Sequence, residues 1–313
     1  MSGIVAPPVM DDLDDAIVSL LERDGRLSHR ELAEHIGLSR PATAARVARL
    51  LASGQVAIRG VVHPAVLRRG SCAHVALTVR GSAARLAAAV ADREDVTFVS
   101  LCTGRYAVVA EIRAEDQAAI DRAVSRIRAL PGVDGLNLLL YSEVVRDVAG
   151  PVGEPGVGLD DLDDVDLALL RALQDDGRAS YVRLGELVGM SAAGTRRRVG
   201  RLIEGRAVRV GAVVRHSGAD RRAAMGVGIS LCDDGADVVE RALGLESVVF
   251  LARTLGRYDL VATVNATSAG QLVDLLEGLR ALPGVRGIDT WGHLEYVKET
   301  YASGRLTADG PPA

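Results

Sequence analysis

The side chains best equipped for chemistry in this chain are arginines, and they cluster. Ser191 to Arg209 (SAAGTRRRVGRLIEGRAVR) holds six arginines and one acid, Glu204. An arginine can grip a phosphate with its forked donors or read a guanine edge in the major groove. Val199, Leu202 and Ile203 recur at helical spacing and give the stretch a packing face. Arg197, Arg198 and Arg201 fall largely off that face. Ser191 stands where its hydroxyl can cap the helix. Alone, such a run reads as a solvated charged surface, but it has a counterpart. Ser39 to Arg59 carries four arginines and no acid, and Ser39 and Thr43 lie 152 residues before Ser191 and Thr195. The candidate DNA contacts are therefore Ser39, Arg40, Thr43, Arg46 and Arg49 in the first stretch. In the second they are Ser191, Thr195, Arg196, Arg197, Arg198 and Arg201.

Other chemistries find little support. There is no Ser-His-Asp pattern and no P-loop, and the six histidines never take a metal-ligand spacing. Gly81, Gly104 and Gly256 read as turn glycines. Cys72, Cys102 and Cys232 are scattered and odd in number, which fits core packing in a reducing cytosol. No cofactor is expected. Met1 to Met10 lacks a basic and apolar leader, and no run approaches the roughly 20 apolar residues of a membrane span. The expectation is a soluble, cytoplasmic protein. Its net charge of −4 announces no nucleic-acid partner; the distribution does more, since five aspartates and no base lie between Val157 and Asp166. Lysine appears only as Lys298, and aromatic residues make up 3%.

The elements that must position the arginines come in two copies. Asp24-Gly25-Arg26, Phe98, Gly104-Arg105-Tyr106 and Leu130-Pro131-Gly132-Val133 each recur 152 residues on, as Asp176-Gly177-Arg178, Phe250, Gly256-Arg257-Tyr258 and Leu282-Pro283-Gly284-Val285. A repeat this long is a fusion of whole modules rather than a solenoid.

In the first copy, Leu13, Ile17, Leu20 and Leu21 mark a helical face over Asp11 to Arg23, with acids in the first turn. Ser28 and Glu31 form a capping box for a second helix. Ser39 caps a third, with Pro41 in its first turn. Three short helices with a tight turn before the third follow the helix-turn-helix plan. Gln55 to Val62 should form a small two-stranded wing, as should Val208 to Val214 in the second copy. Downstream the order β-α-β-β-α-β predicts a four-stranded antiparallel sheet with two helices on one face. Its last strands are expected at Leu136 to Val144 and Ile288 to Tyr296. The apolar other face (Val75, Leu77, Val108) calls for a second sheet against it.

The fold class is thus α+β, two repeats of a winged helix-turn-helix followed by a ferredoxin-like sandwich. The expected divisions are 11–63, 64–146, a linker at 147–158, 159–215 and 216–300. Residues before Asp11 and after about Tyr301 read as loose ends.

The chain resembles the Lrp/AsnC family, the feast/famine transcription regulators. The resemblance rests on Asp166-x-x-Leu169-Leu170, Asp176-Gly177-Arg178, Ser191, Arg198-x-x-Arg201-Leu202, Gly256-Arg257-Tyr258-Asp259-Leu260 and Leu282-Pro283-Gly284-Val285. It implies a DNA-binding regulator with a ligand-sensing domain, a double-stranded DNA partner, a small effector such as an amino acid, and homo-oligomeric assembly. The turns it places near the effector pocket contribute Thr103, Gly104 and Tyr106 in one copy and Thr254, Gly256, Tyr258 and Asp259 in the other. Asp259 could meet an effector amino group or simply bond local backbone; Ala107 replaces it in the first copy. Siroheme decarboxylases resemble the same fold, and Arg215-His216 is similar to a stretch in them. The Cys-Tyr-x-Arg and Trp-Pro-Tyr-Asn stretches expected of such enzymes are missing. His63 falls at nearly the repeat-equivalent place to His216, which suits a wing-end role.

Overall fold

The computed structural model of the chain describes residues 10–54, 56–67, 69–148, 150–153, 155–157, 159–214 and 223–300. Arg215, His216 and everything from Tyr301 onward lie outside the described residues.

Each copy opens with three helices: α1 (Asp12–Arg23), α2 (His29–Ile36) and α3 (Arg40–Ala52), then α6 (Asp164–Asp175), α7 (Tyr181–Val188) and α8 (Ala192–Glu204). Short polar caps set their starts. Asp11 and Asp14 form a reciprocal capping box on α1, Ser28 and Glu31 one on α2, and Asp163 and Asp166 one on α6. Left-handed Gly37 and Gly189 end α2 and α7 and turn the chain into the third helix.

The expected wings take another form. Each copy supplies one strand, β1 (Val56–Val62) and β6 (Val208–Val214), and the two pair with each other antiparallel, from Val56 opposite Val214 to Val62 opposite Val208. Neither stretch contains the two-residue turn that would fold it back on itself, so each strand finds its ladder partner in the other copy. The helices cross as well: α1 packs on β6 and α6 on β1. One apolar core, with Ile17, Leu21, Leu50, Leu169, Leu173 and Leu202 at its centre, therefore joins both helix-turn-helix units into a single body.

The sheets follow the βαββαβ order. The first copy has β2 (Ser71–Val79), α4 (Ala83–Ala91), β3 (Val96–Cys102), β4 (Val108–Ala114), α5 (Gln117–Arg128) and β5 (Val133–Arg146). The second has β7 (Ala223–Leu231), α9 (Ala236–Leu243), β8 (Val248–Leu255), β9 (Leu260–Ala266), α10 (Ala269–Arg280) and β10 (Val285–Glu299). The last strand of each copy runs longer than its sequence pattern suggests, 14 residues for β5 and 15 for β10. The first half of β5 pairs with β2 and its second half with β8; β10 pairs with β7 and then with β3. The eight strands close in the order β10-β3-β4-β2-β5-β8-β9-β7. Closure removes both sheet edges. Val75, Leu77 and Val108, expected on the face that needs a second sheet, instead pack against α4 and α5 with Leu86 and Ile120. Side chains alternate along a strand, so it is His74, Val109, Glu111 and Arg113 that face the barrel interior.

Candidate nucleic-acid interface and sensing region

The recognition helices are α3 and α8. Ser39 and Ser191 accept from the backbone N–H groups of Ala42 and Gly194, at 3.4 and 3.2 Å. Thr43 and Thr195 do not face a partner. Both are fully buried, and their hydroxyls donate to the carbonyl oxygens of Ser39 and Ser191 at 3.1 and 3.0 Å. One turn in from the cap, that position points back under the helix toward the preceding one. A Cβ on Gly185 of α7 would come within 3.0 Å of the Thr195 hydroxyl. The expectation of DNA contact at these two threonines is corrected accordingly.

Four of the arginines are also committed inward. Arg46 binds Asp11 at 2.7 Å and Asp14 at 2.9 Å, and Arg49 binds Asp14 at 2.6 Å. The second copy repeats this: Arg198 binds Asp163 at 2.7 Å and Asp166 at 2.9 Å, and Arg201 binds Asp166. Asp14 and Asp166 are fully buried. Each closes a capping box and also anchors two guanidinium groups, so a buried charge is compensated on several sides. The Arg46 guanidinium, then the Asp14 backbone N–H, hold the Asp11 carboxyl below its ordinary range; for Asp163 the Asp166 backbone N–H leads, followed by Arg198. Arg46, Arg49, Arg198 and Arg201, expected to look outward, clamp the first helix of each unit to its third.

Arg40, Arg196 and Arg197 differ: they are exposed, and no ion pair holds them among the described residues. They also break the repeat. Arg40 matches Ala192 in the second copy, and Arg196 and Arg197 match Ala44 and Ala45 in the first. On these two helices the arginines shared by both copies brace the fold, and the unshared ones make no ion pair among the described residues.

A second brace joins the two units. Arg26 donates to the carbonyl oxygens of Gly177 and Ala179 at 2.7 and 3.0 Å and lies over the Tyr181 ring, and Arg178 donates to Leu27 in return. Gly25 N–H donates to Val210, and Gly177 N–H to Ile58. A Cβ at Gly25 or Gly177 would collide with the opposite strand pair, at 2.7 Å from Ile58 and 2.8 Å from Val210. The repeated Asp-Gly-Arg motif is thus a reciprocal clamp. Sequence reasoning used it to find the duplication and assigned it no task. It also gave Asp14 and Asp166 no partner, although each stands 32 and 35 residues before the arginines it binds in both copies. His63 takes a wing-end part: Ala65 N–H donates to its Nδ1, so Nε2 donates to Gly153 at 2.8 Å.

The two sensing turns meet at one end of the barrel and are knitted into the chain. The Thr103 hydroxyl accepts from Gly292 N–H at 2.8 Å, and the Thr254 hydroxyl donates to the Tyr258 carbonyl at 2.7 Å. Asp259 accepts from the Leu231 N–H at 2.7 Å, across the sheet on β7 rather than within its own turn. The Tyr258 hydroxyl donates to Asp289 at 2.7 Å, while Arg257 binds Asp289 at 2.8 Å and reaches the Tyr106 hydroxyl at 3.4 Å. Gly104 and Gly256 hold φ values of 90° and 145°, which suit glycine.

Inside the barrel lies a cavity of about 1060 Å³. Its wall includes both phenylalanines of the chain (Phe98 and Phe250), its sole tryptophan Trp291, Tyr141, His74 and His293. Arg113 lines it too, fixed between Glu111 at 2.6 Å and Asp147 at 2.8 Å. Burial lowers the pKa of both histidines to about 4, with a further push on His74 from His293.

Paired helix-turn-helix units on a double-sheet body place the chain in the helix-turn-helix class. The sequence profile of the AsnC-type helix-turn-helix domain matches residues 10–51 and 162–203, and that of the Lrp/AsnC ligand binding domain matches 72–148 and 225–303. The chain belongs to the Lrp/AsnC family of transcriptional regulators, in tandem duplicated form. It is 25% identical over 141 residues to the HTH-type transcriptional regulator FL11 of Pyrococcus furiosus, covering 44% of this chain and 93% of that one. It is 27% identical over 143 residues to the leucine-responsive regulatory protein of Salmonella typhimurium, covering 44% and 87%. Each relative therefore corresponds to one copy. Over both copies the fold resembles the crystal structure of the siroheme decarboxylase NirDL, with a TM-score of 0.60 at 14% identity, covering 92% of this chain and 93% of that one. Among the described residues, no helix is long and apolar enough to cross a membrane.

Proposed function

We propose that this chain regulates transcription by binding an imperfect palindrome, with α3 and α8 in successive major grooves about one helical turn apart, roughly 34–36 Å. The observation that carries the reading is the division among the arginines. Those common to both copies are tied to buried aspartates, and those peculiar to one copy stand exposed on the recognition helices. Arg40 would serve one half-site and Arg196 and Arg197 the other, so the half-sites differ in sequence. Ser39 and Ser191, at the helix starts, keep their hydroxyls near the backbone of the duplex. Selection of bound sequences from random DNA should return a two-part site with unlike halves. Arg197→Ala should then relax one position of one half by about 1–3 kcal/mol if it reads a base, or flatten the salt dependence if it holds a phosphate. A symmetric selected site, or none, would overturn the proposal.

A small effector and assembly of several chains accompany this reading, supported by the ligand-binding domains. The tetrapyrrole decarboxylase reading is the weaker one. A polycarboxylate substrate needs several uncommitted cations, whereas the barrel interior holds Arg113 between two acids. Arg146 gives its guanidinium to the carbonyl oxygens of Leu243, Leu245 and Val248.

A further inference from the structure

The barrel cavity contains buried polar atoms that the protein itself leaves without partners. His74 is 6% exposed, and neither of its ring nitrogens has a hydrogen-bond partner. The Trp291 indole N–H is likewise buried and unpartnered. The two rings lie against each other, centroids 5.6 Å apart. Leaving such groups unsatisfied destabilises a fold, and native interiors seldom tolerate them without a use. Arg209, on β6 of the DNA-binding body, also lines the cavity and has a buried, unpartnered Nε.

The lining is unlike the rest of the chain. In a protein that is 3% aromatic, both phenylalanines, the only tryptophan, and Tyr141 and Tyr296 face one space. Aromatic walls favour flat ligands, by stacking and edge contacts, and about 1060 Å³ is at the upper end of ordinary small-molecule sites. The ionic content argues against a heavily charged occupant. Six acids, Glu22, Glu111, Asp147, Glu246, Glu295 and Glu299, line the space against four arginines, Arg23, Arg113, Arg146 and Arg209, so a polyanion meets no surplus of positive charge, and Arg113 is already held by Glu111 and Asp147.

We propose that the barrel interior is a binding site for a planar, fused-ring aromatic molecule of low net charge, bearing both hydrogen-bond donors and acceptors. His74 and Trp291 would orient it. The site adjoins the second sensing turn, whose Tyr258 ring stacks on Trp291 with centroids 6.4 Å apart, but no residue of either turn lines it. Residues of α1 (Ser19, Glu22, Arg23) and Arg209 of β6 form part of its wall, so an occupant touches the DNA-binding body directly. This deepens the regulator reading, on which its effect on DNA rests; the binding itself does not depend on it.

The test uses the full chain and the fluorescence of Trp291, the one tryptophan, with the His74 variants separating this wall from the neighbouring Tyr258 turn. Lumichrome, a neutral tricycle with donors and acceptors, should quench it saturably. His74→Leu should weaken the midpoint at least tenfold while leaving the thermal midpoint of the ligand-free protein unchanged or raised, since the imidazole has no partner to lose. His74→Asn, which restores a donor and an acceptor, should recover part of the affinity. Absence of saturable quenching, equal quenching in His74→Leu, or a lowered thermal midpoint in that variant would each overturn the proposal. Tighter binding of uroporphyrin than of lumichrome would overturn it by reversing the charge preference. DNA selection run in parallel separates the two readings: intact DNA binding without quenching sinks the cavity site alone, and quenching without DNA binding sinks the regulator reading alone.

Discussion

Asp166→Asn is the sharpest probe of how the recognition helix is held. The Asp166 carboxylate is fully buried, accepts from Arg198 at 2.9 Å and from Arg201, and closes the α6 capping box with Asp163. Removing one partner of a fully buried ion pair costs about 3–5 kcal/mol. Here the arginine side chains keep 30% and 47% of their exposure, so once orphaned they recover much of their hydration. The expected loss is therefore smaller, about 2–3 kcal/mol. Asparagine preserves the shape and can still accept from the Asp163 N–H, so the loss measures charge rather than volume. Urea unfolding followed by far-ultraviolet circular dichroism should show a lower midpoint with an unchanged slope. Asp14→Asn should give a similar loss, because its geometry is the same. Arg197→Ala, removing an exposed and uncommitted side chain, should stay within about 0.5 kcal/mol of the parent. If Asp166→Asn also stayed within that margin, the division between bracing and contacting arginines would fail.

Three further outcomes are expected. Arg178→Ala removes one arm of the clamp between the helix-turn-helix units, so DNA affinity should fall at every half-site sequence alike; a loss confined to one half-site would refute the clamp. Stability should fall between about pH 6.5 and pH 4, because His74 and His293 stay neutral in the fold to about pH 4 and the unfolded chain takes up their protons first; each contributes about 3 kcal/mol at full shift, and replacing both with leucine should flatten that limb of a stability-versus-pH curve. Gly226→Ala would put a Cβ 2.0 Å from the Trp291 ring, so the tryptophan must move; an unchanged emission maximum and thermal midpoint would show that the ring does not rest on that backbone.

Local features were legible in the chain because they depend on near neighbours. Asp11, Ser28, Ser39, Ser180 and Ser191 cap helices through backbone donors three residues away, and such pairs are visible as spacing. The duplication, and with it the βαββαβ order, needed only a constant offset. Helical periodicity could also say which residues leave the apolar face, but not what they meet there. Arg46 and Arg198 sit off that face in sequence, and only the approach of another helix's first turn shows them bound to Asp14 and Asp166. The threonines were misassigned for a related reason, since a polar residue one turn from a cap can bond its own backbone and be buried without cost.

By itself the sequence determined two like modules, their helix starts, their strand order and their family, since all of these are written in local spacing and repetition. The tertiary structure decided how the modules share themselves: β1 with β6, α1 over β6, β5 and β10 reaching into each other's sheets. The physical reason is that an unpaired strand edge or an open apolar face must be covered, but nothing in its own residues says by which partner. Covering them between copies made one DNA-binding body above one closed barrel, and closure created the aromatic cavity within it.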